Sequence, residues 1–277
     1  MAIDLNFLLF IKKQADTMPL GRVLTLGRQS LDVQPDALSD LVGGEVEYSR
    51  YCEPVLQSLG ASNVSSVDYS PYECPTLVAD LGKPQNLGQE FDTIIDGGTL
   101  EHVFDIACSF RNVFRLLAPG GRVVHVLPVN NLNGHGFWQF SSDLLYSIYS
   151  ERNGFAETEV YYFSSLRMGK WHLMPRPMAG EKIEIASVEP IQLLAVSRKV
   201  SDVSEISVSQ PFYETTWRSD NAEALNDLPV PRRRVSTLVK TMLGPHAPLR
   251  VFIRNLNLLA GLALGTSPYS VKRHRKK

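Results

Sequence analysis

The sequence predicts an α/β domain built on a mostly parallel sheet, followed by a C-terminal extension. Three observations carry this. Residues 91–95 and 123–127 are short apolar runs suited to strands covered on both faces. Between them, Ile106, Phe110, Val113, Phe114 and Leu117 recur at helical spacing, so the block reads strand–helix–strand. Two earlier short runs end in acids, Asp68 and Asp80, and the texture of the chain changes after about Lys199.

Taken in order, residues 3–15 read as a short helix that caps the domain. Residues 21–27, GRVLTLG, are the first strand and its turn, broken at Gly27. Arg28, Gln29 and Ser30 follow, where a nucleotide-binding turn often carries more glycine. Residues 33–44 form a polar insertion ending in Gly43-Gly44. A helix is expected over 45–59, with Pro54 as its start, break or kink and Gly60 as its end. Residues 64–69 are a strand with Asp68 at its carboxyl end, and 77–81 another with Asp80 near its end. In the central block, Asp96, Gly97 and Gly98 break the first strand, and Glu101 and His102 follow at once. The helix over 105–117 stops at Pro119-Gly120-Gly121. Pro128 ends the second strand, and a Gly- and Asn-rich loop leads to His135. Parallel strands joined by a helix put such loops at the carboxyl edge, where open α/β sheets bind ligands. Residues 142–152 are amphipathic and stop at Asn153-Gly154. Residues 159–164 and 191–197 are the last two strands, and the long connection with Trp171, His172 and several prolines is expected to fold over the site.

With 277 residues, 44% hydrophobic, the chain supports one sizeable domain over 1–199 and an extension over 200–277. A net charge of -1 gives no global pull toward nucleic acid. Cys52, Cys74 and Cys108 show no paired or metal-type spacing and fit a reducing compartment. The apolar patch at 7–11 is short and preceded by Asp4, so no signal peptide is expected, and no stretch reaches the ~20 apolar residues of a membrane span. The expected location is cytoplasmic. Within the extension, 200–234 are polar and include Arg232-Arg233-Arg234, 235–264 regain apolar content, and the end is VKRHRKK. An apolar helix over 249–264 would pack on the domain or on a second subunit of a homo-oligomer; the alternative is an amphipathic helix whose basic end touches an anionic membrane surface.

The succession of a strand with a Gly turn, strands carrying Asp68 and Asp80, FDTIIDGGTLEHV, LLAPGGRVVHVLP and two late strands resembles the class I S-adenosylmethionine-dependent methyltransferases. The resemblance covers about residues 20–199 and is most specific over 91–128. The segment NNLNGHGFWQFSSDLLYSIYSERNGF is also similar to a bacterial subgroup associated with polysaccharide and other biosynthetic gene clusters. The resemblance implies a Rossmann-like seven-stranded sheet with helices on both faces and an antiparallel last strand, the late pair forming the final hairpin. It implies S-adenosyl-L-methionine as cofactor and methyl transfer, most simply to an oxygen of a sugar, glycan or other biosynthetic small molecule.

The resemblance also assigns roles. Gly27 and Arg28 face the methionine part of the cofactor, and Asp68 accepts hydrogen bonds from the ribose hydroxyls. Asp80 lies near the adenine amino group, and Leu81 supplies an apolar wall. Asp96 and Gly97 lie where cofactor and acceptor meet. His102 and His135 are the candidate bases, because an imidazole with a near-neutral pKa can take a hydroxyl proton. His125, inside a strand, reads as a packed core residue. Phe137, Trp138 and Phe140 either wall an acceptor pocket or fill the core. The spacing of Glu101, His102 and His135 is not a recognised metal pattern, so no metal is expected. The glycine-poor turn after Gly27 motivates a different class of function, a catalytically reduced methyltransferase-like subunit that binds or scaffolds through its tail. A nicotinamide-dependent oxidoreductase is disfavoured by the missing G-x-G-x-x-G and by the late hairpin.

Overall fold

The structure is a computed structural model and describes residues 2–44, 46–217, 256 and 269–275. In chain order its elements are β1 (Ala2–Asp4), α1 (Leu5–Ala15), β2 (Gly21–Leu26), β3 (Ser30–Asp32), α2 (Pro35–Val42), α3 (Glu53–Ser58), β4 (Ala61–Asp68), β5 (Leu77–Val78), β6 (Phe91–Gly97), α4 (Ile106–Leu116), β7 (Leu117–Asn130), α5 (Ser142–Ile148), β8 (Phe155–Ser164), β9 (His172–Leu173), β10 (Glu181–Ser187), β11 (Ile191–Lys199), α6 (Pro211–Trp217) and β12 (Tyr269–Arg275).

Residues 1–176 with 190–208 form one compact unit. Its sheet has eight strands in the order β5-β4-β2-β6-β7-β11-β8-β9. The first five run parallel, β11 is antiparallel to both β7 and β8, and β9 adds two residues to the far edge. The fold is therefore mixed α/β with a large, mostly parallel sheet. The expected count of seven is exceeded by the two-residue β9, which the proline-rich connection hid. From β2 the chain runs outward through β4 to β5, then returns to β6 on the other side of β2. That reversal opens a crevice at the carboxyl ends of these strands.

Local chemistry explains the elements. Asp4 caps α1, its Oδ1 accepting from the Phe7 N–H at 2.8 Å. Phe7, Leu8, Phe10 and Ile11 are buried on that helix. Trp171 packs edge-on against Phe10, with ring centroids 5.4 Å apart, so the connection's tryptophan joins the core instead of covering the site. Arg122 is buried, and its guanidinium donates to the carbonyls of Gln14, in the last turn of α1, and of Met18 and Pro19 just past it; desolvation pushes its pKa down to about 10. The insertion over 33–44 carries α2, whose Leu38 is buried and which closes on Gly43 at φ 75. The helix expected over 45–59 contracts to α3, because Pro54 sits in its first turn, where a missing N–H leaves nothing unmade. The second central strand continues to Asn130 instead of ending at Pro128. Pro128 lies beyond the last β6 pair, Gly97↔Val126, and beside a register shift in β11 at Ile191/Gln192. A proline is tolerated in a sheet at such a place.

The second unit holds 177–189 and 209–277. Within it β10 pairs antiparallel with β12, from Glu181↔Arg275 to Ser187↔Tyr269, and the Gly180 N–H donates to the Pro211 carbonyl at 2.8 Å. The basic end of the chain is thus a strand over 269–275, paired with a segment that composition assigned to the preceding domain. The helix expected over 249–264, Leu256 apart, and the run Arg232-Arg233-Arg234 lie outside the described residues. Among the described residues no helix is long and apolar enough to cross a membrane.

At the start of the parallel core, the Arg22 backbone N–H and guanidinium donate to Asp92 at 2.8–3.0 Å, joining β2 to β6. The hydrogen bond from the guanidinium holds the Asp92 carboxyl below its ordinary value of 3.8. A depressed carboxylate contributes stability above its unfolded pKa and loses it as pH falls through the lower folded value. Asp92→Asn is therefore expected to melt slightly below the wild type at neutral pH, slightly because the pair is solvent-screened. The two curves should merge in acid. A difference that persists at about pH 2 would show that the loss is steric, not electrostatic.

Candidate functional site

A cavity of about 700 Å³ opens at the carboxyl ends of β4 and β5 and the turn after β6. Asp68, Asp80, Leu81, Thr99, His102 and Phe137 line it. Asp68 is at the end of β4, where among the described residues its carboxylate accepts only long bonds, from the Arg28 N–H at 3.2 Å and the Ser70 N–H at 3.3 Å. Its remaining lone pairs are available to a ligand. Asp80 accepts from the Gly82 N–H at 2.9 Å and lies 3.3 Å from Lys83 Nζ. The loop after β5 is fixed from α4. Ser109 Oγ donates to the Leu81 carbonyl at 3.1 Å, and Asn112 Nδ2 donates to the carbonyls of Leu81 and Lys83 at 2.9 and 2.8 Å. Sequence reasoning missed both residues. Their signal was two polar side chains on the otherwise apolar buried face of an amphipathic helix.

The turn after β2 is built differently from the expectation. Gly27 adopts φ 69, and its N–H donates to the Val67 carbonyl at 2.7 Å. The Arg28 guanidinium donates to Glu53 at 2.7 Å and to the carbonyls of Glu73 and Cys74 at 2.8 and 2.9 Å, and it stacks over Tyr51 at 4.0 Å. These bonds turn the guanidinium to the protein, and the Arg28 backbone N–H is taken by Asp68. Gln29 is fully buried. Its Nε2 donates to the Leu26 carbonyl and to Thr99 Oγ1, while its Oε1 has no hydrogen-bond partner among the described residues. The Gln29 amide lies against Gly97, where a Cβ would collide with it. Gly97 thus makes room for a side chain, not for a ligand's close approach.

Asp96 also departs from its expected role. It is fully buried, with one oxygen accepting from the Thr99 N–H at 2.9 Å and the other 2.8 Å from His125 Nδ1. His125 Nε2 lies 2.7 Å from the Tyr149 hydroxyl. Burial, with the Asp96 charge second, raises the Tyr149 pKa well above 10, so the phenol keeps its proton and can donate it to Nε2. Nδ1–H then donates to Asp96. The acid that resemblance directs toward the cofactor anchors a buried Asp–His–Tyr chain, and His125 is the packed core residue its strand position suggested.

The second polar tip meets the first at Glu101. Glu101 and His102 stand in a single 3-10 turn, Leu100–His102. The loop after β7 folds onto that turn, the Phe137 and Trp138 N–H groups donating to the Glu101 carbonyl at 2.8 and 3.2 Å and Trp138 Nε1 to the Val103 carbonyl at 2.9 Å. Gly136 allows this approach, because a Cβ there would stand 2.7 Å from Glu101 Cγ. As a result His135 Nε2 is 3.5 Å and His102 Nε2 4.0 Å from Glu101 Oε1. Glu101 is fully buried, and neither carboxylate oxygen has a hydrogen-bond partner among the described residues. Desolvation, reinforced by the Asp96 charge, raises its pKa to about 8. Burial and the neighbouring His135 lower the His102 pKa. Around the mouth, Phe104 and Phe137 are exposed and meet edge to face at 6.2 Å, whereas Phe140 is buried against Phe110 at 6.3 Å.

No family model matches the chain, and no curated protein matches it in sequence. Among solved structures it is similar to a TehB-like SAM-dependent methyltransferase from Corynebacterium glutamicum, at 19% identity over 69% of this chain and 87% of that one, TM-score 0.40. It is also similar to the N-methyltransferase NodS from Bradyrhizobium japonicum, at 13% identity over 70% and 94%, TM-score 0.40. A third is TehB from Haemophilus influenzae, at 14% identity over 69% and 61%, TM-score 0.40. At such identities and scores the likeness says nothing about the reaction of this chain.

Proposed function

We propose that the chain binds S-adenosylmethionine and transfers its methyl group to an oxygen of a small-molecule or glycan acceptor. One observation carries this reading: Asp68, Asp80 and Leu81, assigned to the cofactor by resemblance, share one cavity with the candidate base His102. The residues present fit the group. A cavity of about 700 Å³ is the size of a small-molecule site. The Asp68 carboxylate has lone pairs to spare for ribose hydroxyls, and Asp80 with Leu81 offers an acceptor beside an apolar wall for adenine.

Held there, the cofactor would supply an electrophilic methyl carbon, with the thioether S-adenosylhomocysteine leaving as the bond from the acceptor's oxygen to that carbon forms. The chain's share is to position and to manage one proton. Asp68 fixes the nucleoside, Phe104 and Phe137 offer aromatic faces to an acceptor, and the group Glu101, His102 and His135 is where the acceptor's hydroxyl is activated. A scaffolding subunit remains the second reading, favoured by the engagement of Arg28 and Gln29 within the turn that resemblance opens to the cofactor. Calorimetric titration of the full chain with S-adenosylmethionine and S-adenosylhomocysteine separates the two. Saturable binding of both is expected. No heat and no change in melting temperature with either would overturn the enzyme and leave the scaffold.

A further inference from the structure

We propose that Glu101, His102 and His135 bind a first-row divalent transition cation, of the class Zn²⁺, Co²⁺ or Mn²⁺. Three observations on two separate tips of the sheet edge converge on this. One ligand atom from each residue lies within 4.8 Å of the others. The carboxylate at the centre is fully buried, and both its oxygens lack a hydrogen-bond partner among the described residues. A buried carboxylate without partners is costly, and a bound cation is one of the few things that compensates it. The backbone also makes space for that carboxylate at two places. A Cβ at Gly136 would stand 2.7 Å from Glu101 Cγ, and one at Gly98, which has φ 84, would stand 3.0 Å from Glu101 Oε1.

The donor set selects the class of ion. Two imidazole nitrogens and one carboxylate are the ligands of borderline first-row cations, whereas Mg²⁺ and Ca²⁺ take oxygen-only sets. Ligands at 2.0–2.2 Å from one ion stand about 3–3.5 Å from each other. The His135–Glu101 separation of 3.5 Å already meets this, and the His102–Glu101 separation of 4.0 Å needs only a small rotation of a half-exposed ring. Both imidazoles are nearly half exposed, at 48% and 47%, so coordination positions beyond the three protein ligands stay open. Open positions characterise sites that also bind water or substrate. His102 belongs to both the cluster and the cavity, which puts the ion at the cavity's edge. The sequence spacing of one and then 33 positions hides the site, because the third ligand arrives only through the close packing of the 130–139 loop on the Glu101 turn.

Within the methyltransferase reading on which this last point rests, the cation replaces a free imidazole as the group that activates the acceptor's oxygen. The cation site itself stands without that reading. The test is titration of the chelator-treated full chain with Co²⁺, Zn²⁺ and Mn²⁺, followed by calorimetry and, for Co²⁺, by visible absorption. One saturable site per chain is expected. Glu101→Gln, which preserves shape, and His102→Ala or His135→Ala, each at a half-exposed ring, should each weaken Co²⁺ binding by more than ~100-fold, since even outer-shell partners cost ~10–100-fold. His172→Ala, outside the cluster, should leave it unchanged. Absence of saturable binding, binding that survives all three replacements, or equal loss in the His172 variant would overturn the site. Separate titration of the wild type with S-adenosylhomocysteine tells this failure from that of the methyltransferase reading: a chain that binds the nucleoside and no cation refutes the site alone.

Discussion

Asp96→Ala is expected to lower the unfolding free energy by about 1–3 kcal/mol for each of the two buried donors it leaves unmatched. Asp96, His125 and Tyr149 are all fully buried, and their bonds at 2.8 and 2.7 Å run in series from β6 through β7 to the segment after α5. Without the carboxylate, the Nδ1–H of His125 is left unmatched in a space that offers no water-exposed alternative, and the Thr99 N–H loses its acceptor as well. A partial compensation is the loss of a like charge beside Glu101, whose pKa Asp96 helps to raise. Asp96→Asn keeps the shape and one acceptor and should cost less. Tyr149→Phe removes the donor to Nε2 and should cost about 1–3 kcal/mol. Urea unfolding at neutral pH reads all three. A loss below about 1 kcal/mol for the alanine variant would mean that the chain relaxes around the gap and that this buried chain does not hold the three elements together.

Asp68→Ala should weaken binding of S-adenosylhomocysteine by roughly 10- to 150-fold, the equivalent of the ~1.5–3 kcal/mol carried by hydrogen bonds to a charged group. The acid is already folded into its place by the Arg28 and Ser70 N–H groups, so little further ordering is needed when it accepts ribose hydroxyls. Those two bonds are long, and the carboxylate is part of the cavity wall, so the fold should survive the change with a similar melting temperature. Asp68→Asn retains one acceptor oxygen and should fall between the two. An affinity unchanged in the alanine variant would show that the end of β4 does not hold the ligand, and would move the site to the Glu101 side of the cavity.

Sequence and structure divided the work along physical lines. Periodicity determined the strand–helix–strand core over 91–127, because apolar runs and a helical stripe report burial directly. Strand ends punctuated by glycine and acids determined which residues reach the carboxyl edge, and Asp68, Asp80, Leu81 and His102 are found around one cavity there. Local sequence left open what each acid at that edge touches. Asp96 and Asp68 both end parallel strands, yet one is sealed against His125 and the other borders the cavity, a difference set by neighbours distant in sequence. The same holds for Gln29, which fills the space beside Gly97, and for the terminal basic residues, which pair as a strand with 181–187. The meeting of His135 with Glu101 depends on two glycines and a loop fold that no spacing rule encodes. Composition and period thus determined the layers and the edge that bears the site. Only tertiary packing decided which edge groups are buried, which are paired, and which are left with unmatched polar atoms, because those outcomes depend on contacts between residues far apart in the chain.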